Sequence, residues 1–219
     1  MPHGSLTVPA RLLLLAYDTG KDRVAGATDL HLAVRAAVLA ELAERELVHE
    51  VDGIVTPVLG ARTGVPAADE LMELIEESRP RKWRGWITHR ARSTHDTVRR
   101  GLADDGYLRA ERRRVLGVFP GTRYTLLRAG YVEVLRAEAL GALTGTAPPD
   151  AVPRDDATLV VLAAAGHLRG LVPGRDRRRH AARLDALAVR AGPHLPPVRK
   201  ALEAAVRSAE AARSSGGGG

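Results

Sequence analysis

Residues 32–43 form the stretch Leu32-Ala33-Val34-Arg35-Ala36-Ala37-Val38-Leu39-Ala40-Glu41-Leu42-Ala43, which is apolar except for Arg35 and Glu41. Leu and Ala are good helix formers, and neither Gly nor Pro interrupts the run. The stretch therefore predicts a helix from about Thr28, a residue suited to the N-cap, to about Glu46. Because this helix is apolar on almost every side, we expect it to be buried at the centre of the fold.

The composition supports a mainly α fold around this helix. Hydrophobic residues make up 45% of the 219 residues, which is enough for a packed core, but aromatic residues make up only 3%. The core must then be filled by Leu, Val and Ala, which pack well between helices and supply little for a large sheet. We expect a single globular helical domain with two short β-hairpins over residues 1–213, followed by a flexible Ser/Gly tail at 214–219.

The two hairpins are predicted from turn residues and short apolar runs. Residues 47–51 and 54–58 flank Asp52-Gly53, a pair that readily takes the positive φ angles of a tight turn. A second hairpin is predicted from residues 107–112 and 114–120, with 115–119 as its outgoing arm. The remaining helices are predicted at residues 8–17, 67–78, 93–105, 124–143, 156–168, 177–190 and 197–213.

The charge of the chain favours anionic partners. The formal net charge is +7, and almost all of the basic residues are arginine. Such a chain should attract nucleic acid or anionic lipid. The absence of cysteine excludes disulfides and thiol catalysis and suits the cytoplasm. No apolar run is long enough to span a bilayer, and the amino terminus does not have the features of a secretory signal.

The sequence contains no motif that would identify an enzyme. Neither a glycine-rich phosphate loop nor a serine-hydrolase elbow is present, and the scattered histidines do not have the spacing of metal ligands. We therefore predict a binding protein without catalytic residues, metal or cofactor.

Two groups of basic residues point to anion binding. Arg35 lies in the middle of an apolar helix, where its charge needs a partner. That partner is either an acidic residue of the chain, solvent on an exposed face, or a bound anion. A basic patch around Trp83 and Trp86 could dock at a membrane interface. Core packing is the favoured interpretation for the tryptophans themselves, because large aromatic residues are scarce in this chain. The supporting patch comprises Arg81, Lys82, Arg84 and Arg90.

The second hairpin combines arginines with apolar residues. Leu116, Val118 and Phe119 follow three consecutive arginines at 112–114. Such a tip could enter the acyl boundary of a membrane while the arginines meet headgroups. The alternative interpretation is an ordinary strand that packs on the core beside solvated arginines.

Four segments together resemble the Golgi phosphoprotein 3 family in its shorter bacterial form. They are L-T-V-P-A-R-L-L-L-L-A-Y-D at 6–18, L-A-V-R-A-A-V-L-A-E-L-A-E-R-E-L-V at 32–48, L-A-D-D-G-Y-L at 102–108 and R-R-R-V-L-G-V-F-P at 112–120. The resemblance extends over about residues 6–207. It implies a peripheral membrane protein that binds phosphatidylinositol 4-phosphate or a similar phosphorylated lipid, at the cytosolic face of the Golgi in eukaryotes and at the inner face of the cell membrane in a bacterium.

The resemblance also implies which residues bind the headgroup. The family's central-helix arginine falls on Arg35, and its pair of arginines three residues apart falls on Arg92 and His95. A tryptophan of the family pocket falls on Gly26, so one wall of that pocket differs here. Because His95 is charged only when protonated, we expect weaker and pH-sensitive binding. The resemblance further implies self-association, through the second hairpin as a membrane or subunit contact, and a membrane-protein cargo.

The alternative to lipid binding is nucleic-acid binding. A helix followed by a hairpin is predicted twice, as in winged helices, and the net charge would also favour DNA phosphates. The first such helix is apolar nearly all round, so it should be buried and not lie in a groove. The second helix carries Arg99 and Arg100 and is the better candidate for recognition.

Overall fold

The structure is a computed structural model that describes residues 6–19, 23–24, 28–115 and 119–215. The described part is mainly α, as predicted. Its helices are α1 (Val8–Leu15), α2 (Leu30–Glu44), α3 (Pro66–Glu77), α4 (Trp83–Thr88), α5 (Ala91–Asp104), α6 (Ala129–Thr144), α7 (Arg154–Ala165), α8 (Gly174–Arg179), α9 (Ala181–Ala191) and α10 (Leu195–Ser215). Its strands are β1 (Tyr17–Asp18), β2 (Arg23–Val24), β3 (Val48–Val51), β4 (Ile54–Pro57), β5 (Leu108–Val115) and β6 (Phe119–Leu126), which form three antiparallel pairs in chain order.

The helix α2 lies at the centre of the core, as its apolar sequence predicts. Every residue from Leu32 to Ala40 is buried, and α1, α5, α7 and α10 pack around the helix. The end of α7 comes especially close, because a Cβ atom built on Gly166 would lie 2.6 Å from Cβ of Ala33. The short side chains of α2 thus allow its neighbours to approach closely, which fixes the positions of the elements that carry the candidate site.

The first hairpin forms as predicted. Strands β3 and β4 pair with Val51 opposite Ile54, and the two residues between them have positive φ angles, 51° at Asp52 and 79° at Gly53. This turn matches the twist of the strands that it joins. The main chain of Arg81 extends the pairing, since the Val55 N–H donates to the Arg81 carbonyl at 3.0 Å. The hairpin therefore holds the start of the segment that leads into α4.

The second hairpin is longer than predicted, and the predicted break between its strands at residue 113 lies within β5. Residues 112–115 belong to the incoming strand β5, so the prediction that the outgoing arm begins before residue 116 is wrong. The outgoing strand β6 continues to Leu126, and α6 begins only at Ala129. Tertiary contacts explain the difference, because Tyr124 and Leu126 pack against the core and the Arg99 guanidinium lies 4.3 Å from the centroid of the Tyr124 ring.

Two predictions near the carboxyl terminus differ in detail. The predicted helix at 177–190 is divided into α8 and α9 at His180. α9 buries Leu184 and Leu187, whereas α8 has the sequence Gly-Arg-Asp-Arg-Arg-Arg, buries no residue and has no apolar face to join to α9. α10 continues to Ser215, so two residues of the predicted tail are helical, and residues 216–219 lie outside the described part.

Both tryptophans belong to the core. Trp86 is fully buried and Trp83 is 7% exposed, and the Trp83 indole N–H donates to the Glu50 carboxylate. The interpretation that they pack in the core is therefore confirmed, and the interpretation that they lie at a membrane interface is wrong. Their burial fixes α4 beside α2 and α10, which brings the segment after α4 close to Arg35.

Candidate functional site

Arg35 is a buried cation whose hydrogen-bonding capacity is mostly unused. The residue is 1% exposed, and its Nη2 donates to the carbonyl of Arg90 at 2.8 Å. Its Nε and Nη1 have no hydrogen-bond partner within the described part of the chain, and no described carboxylate lies within 4.0 Å. Neither an internal salt bridge nor an exposed helix face therefore accounts for Arg35.

Burial lowers the pKa of Arg35 to about 10, with the nearby charge of Glu70 acting in the opposite direction and that of Arg90 adding to the decrease. The guanidinium still carries its charge at pH 7. A charged group in this position costs several kcal/mol of desolvation, as a rough figure, unless an anion compensates it. A bound anion would accept hydrogen bonds from the two unpaired donor nitrogens of this buried cation.

The backbone at Arg90 directs α5 towards Arg35. Arg90 has a φ angle of 50°, in the left-handed region that residues with side chains rarely adopt. Its carbonyl accepts hydrogen bonds from Arg35 and from the Ser93 N–H, the latter at 3.0 Å. α5 then begins at Ala91 with no acidic residue in its first turn. The positive end of this helix is thus held beside α2 without a negative side chain to neutralise it.

Arg92 and His95 lie within electrostatic range of His31, which is one turn of α2 before Arg35. His31 is four residues before Arg35 and so shares its face of the helix. Burial lowers the pKa of His31, and the charges of Arg92 and His95 act in the same direction, whereas Asp29 raises it. The structure therefore brings Arg35, Arg92 and His95 to adjoining turns of α2 and α5.

The pKa of His95 is also below its usual value, mainly because the ring is desolvated, and Arg99 and Arg92 lower it further. Asp96 opposes this shift through a 3.2 Å contact between its Oδ1 and the His95 Nδ1. In the free protein His95 is therefore neutral at pH 7. A bound anion would favour its protonated form, as the resemblance to the family leads us to expect.

His89 joins this group, and sequence reasoning missed it. Burial is the main cause that lowers the pKa of His89, and the charges of Arg81, Arg35 and Arg90 lower it further. The ring therefore lies within electrostatic range of all three arginines. Its ring also contacts that of Trp86 edge to face, with 6.0 Å between centroids. The only sequence signal was its position immediately before Arg90. We call the six residues His31, Arg35, His89, Arg90, Arg92 and His95 the α2–α5 junction.

The supporting basic patch divides in the structure. The Arg81 guanidinium lies 5.5 Å from the Trp86 ring centroid, and its Nε is buried without a partner, so Arg81 belongs beside the junction. The exposed Lys82 lies along the first hairpin, where its Cε would be 3.8 Å from a Cβ atom on Gly53. Arg84 donates from Nη2 to the Ser208 hydroxyl of α10 at 2.9 Å. Lys82 and Arg84 therefore contact other parts of the protein.

An ion pair between distant parts of the chain lies two residues before His31 of the junction. Both Arg213 terminal nitrogens, near the end of α10, donate to the Asp29 carboxylate before α2, at 2.8 and 2.7 Å. Asp29 and Arg213 both influence His31. None of the five main cavities formed by the described residues is lined by Arg35, Arg92 or His95. The described junction is thus a cluster of donors and not an enclosed pocket.

Some predicted site residues lie outside the described part. Leu116 and Val118 fall in the gap between β5 and β6, and Gly26 falls in the gap before α2. Phe119 is the first residue of β6 and pairs with Val115. The predictions for Leu116 and Val118 therefore lie outside the described part, which includes only the backbone of Phe119 among the three residues.

The family model for Golgi phosphoprotein 3 (GPP34) matches residues 8–205, which run from the start of α1 into α10. The chain belongs to the Golgi phosphoprotein 3 family. The match includes every residue of the α2–α5 junction, and this GPP34 membership is consistent with lipid binding. No curated protein matches the chain. None of the helices in the described part is long and apolar enough to cross a membrane, and no metal-binding cluster occurs among the described residues.

Proposed function

We propose that this GPP34 protein is a peripheral membrane protein whose α2–α5 junction binds a phosphorylated lipid headgroup, such as that of phosphatidylinositol 4-phosphate. The observation that carries the proposal is Arg35, which is buried, charged and left with two unpaired donor nitrogens. Arginine matches phosphate well because its planar guanidinium can donate two parallel hydrogen bonds. Arg92 and the first turn of α5 would supply further positive charge to the same anion.

The arrangement of α5 supports lipid over nucleic acid as the ligand. A recognition helix needs free side chains that reach base edges. Here Arg99 donates to Asp96 at 2.9 Å and stacks on Tyr124, while Arg100 donates to the Thr97 hydroxyl at 2.8 Å. Both candidate recognition residues are therefore already engaged within the protein.

Vesicle flotation tests the proposal directly. Neutral, phosphatidylserine-bearing and phosphatidylinositol 4-phosphate-bearing vesicles would be compared, each with and without duplex DNA as a competitor. We expect the greatest recovery with the phosphoinositide vesicles and little effect of DNA. Equal recovery on both anionic vesicles would contradict a specific headgroup site, and strong competition by DNA would favour the nucleic-acid alternative.

Binding is expected to strengthen as pH falls. Because the pKa values of His31, His89 and His95 are lowered in the free protein, an anion that favours their protonated forms gains affinity below about pH 6.5. The unliganded protein should lose stability over the same range, since histidines with lowered pKa values resist protonation in the folded state. Vesicle affinity and thermal melting, measured as a pH series, would show these opposite trends.

His95→Arg isolates the contribution of this histidine. A permanent charge at position 95 should raise affinity at pH 7 and flatten the pH response. The control is His49→Arg, which adds the same charge at an exposed position in the first hairpin. An unchanged pH response in His95→Arg would show that His95 does not face the ligand.

We propose that the second hairpin anchors the protein through Leu116, Val118 and Phe119. Arginines alone would hold the protein at the surface by attraction that salt screens within about 10 Å, whereas inserted apolar side chains resist salt. Leu116→Ser combined with Phe119→Ser should leave binding that disappears by about 0.5 M salt, while the unaltered protein keeps a residual bound fraction. If both dissociate identically and only the unaltered protein sediments as an oligomer, the hairpin is a subunit contact.

A further inference from the structure

A second arginine-rich surface lies away from the α2–α5 junction, between α8 and α10. It is a groove of about 830 Å³ whose lining includes five arginines and a single carboxylate, that of Glu203. Its floor is apolar and formed mainly by residues of α7 and α9. The arginines are Arg175, Arg177, Arg178, Arg199 and Arg207.

Two of these five arginines have no acidic partner among the described residues, whereas Arg175 lies 3.9 Å from the Asp176 carboxylate. Arg199 is paired, with 2.6 Å to Asp185 and 3.0 Å to Glu203, and Arg207 lies at the limit of an ion pair with Glu203, at 4.0 Å. Arg177 and Arg178 have no carboxylate within 4.0 Å in the part of the chain that the structure describes. The groove therefore carries excess positive charge that its own acidic residue does not balance.

A row of charged side chains along α10 leads from the groove towards the Asp29–Arg213 ion pair. Arg199, Glu203, Arg207 and Glu210 recur at intervals of four and three residues, which places them on the same side of the helix. His167 lines both the groove and a smaller cavity that contains Arg213, the partner of Asp29. Arg207 and Arg213 are about 9 Å apart along the helix axis. The groove and the ion pair that precedes α2 therefore lie along the same helix, α10.

We propose that the groove is a second anion site that binds phospholipid headgroups non-specifically, in addition to the specific site at the junction. This inference rests on the proposed membrane-binding function. A lipid surface is favoured over nucleic acid because no Trp, Tyr or Phe side chain lines the groove to stack on bases. Two sites on one membrane act together, since binding at the first raises the effective concentration of lipid at the second.

The test uses Arg177→Gln combined with Arg178→Gln, a change that removes two charges and keeps residues that favour helix. On phosphatidylserine vesicles without phosphoinositide, we expect affinity to fall about 25-fold, because each basic residue at an anionic surface contributes about fivefold. Arg207→Gln should reduce it about fivefold on the same scale. Arg45→Gln combined with Arg62→Gln is the matched control, since both arginines are exposed and remote from the groove.

A second measurement separates the two sites. Binding of soluble glycerophosphoinositol 4-phosphate reports only the α2–α5 junction, and the groove variants should retain it fully. If the groove variants bind phosphatidylserine vesicles as tightly as the control variant does, the groove proposal is overturned while the headgroup site stands. Loss of duplex-DNA binding without loss of vesicle binding would also overturn it. Failure of the unaltered protein to bind the soluble headgroup would instead contradict the proposed function.

Discussion

Arg35→Met is expected to abolish most headgroup binding while leaving the protein at least as stable as before. Removing a buried charged partner from a complex costs about 2–5 kcal/mol, so affinity for phosphatidylinositol 4-phosphate vesicles should fall at least about thirtyfold. Methionine fills a similar elongated volume and adapts to irregular cores. Fold and function are therefore expected to respond in opposite directions to this one change.

The stability part of this prediction follows from the contacts of Arg35. The guanidinium donates one hydrogen bond to the Arg90 carbonyl, and such a charged bond contributes about 1.5–3 kcal/mol. Burial of the charged guanidinium without a carboxylate costs several kcal/mol. Removing this cost offsets the loss of the hydrogen bond. Urea denaturation would measure the resulting change in the free energy of unfolding.

Arg45→Met serves as the control for Arg35→Met, because Arg45 is exposed at the end of the same helix. It should change vesicle binding and stability only slightly. If Arg35→Met bound the vesicles as well as Arg45→Met, Arg35 would be a structural residue and not a ligand contact. If Arg35→Met were strongly destabilised, its bond to Arg90 would matter more to the fold than we infer.

Trp86→Ala is expected to cause the largest loss of stability, about 3–5 kcal/mol, because it opens a cavity at a fully buried position. For a protein of this size that corresponds to a fall in melting temperature of about 6–20 °C. The indole ring also supports Arg81 and His89, so headgroup binding should weaken as α4 loosens. Thermal melting and urea denaturation would measure the effect.

Two milder substitutions separate the contribution of the ring from that of the indole N–H. Trp86→Phe keeps most of the ring contacts and removes an indole N–H that is buried without a partner, so it should cost much less than Trp86→Ala. Trp83→Phe instead removes the donor that binds Glu50 and should cost about 1 kcal/mol. If Trp86→Ala lost less than about 1 kcal/mol, the ring would not be a core element as the structure has it.

The central helix and the first hairpin could be predicted from sequence because local signals decide them. The apolar run at 32–43 is long enough to require burial, and Asp52-Gly53 specifies its turn through two positive φ angles. The second hairpin could not be placed correctly, because its strand pairing depends on contacts of Tyr124 and Leu126 with parts of the protein distant in sequence. A run of arginines carries no local signal that separates strand from turn.

The candidate site could be predicted only in part for the same reason. Arg35 was identifiable because a charge in an apolar helix conflicts with its surroundings, and the family resemblance supplied Arg92 and His95. His89 has an ordinary sequence environment, and it joins the site only because the left-handed backbone at Arg90 directs the chain back to α2. That conformation at a non-glycine residue depends on tertiary contacts.

The ion pair between Asp29 and Arg213 has a consequence for biosynthesis. These residues are separated by 184 positions, and the pair joins the first turn before α2 to the final turns of α10. A growing polypeptide emerges from the ribosome with α2 and α5 long before α10. The basic cluster on those early helices therefore lacks the Asp29–Arg213 ion pair until α10 has been synthesised, and before that point a nascent chain cannot present the finished surface to a membrane.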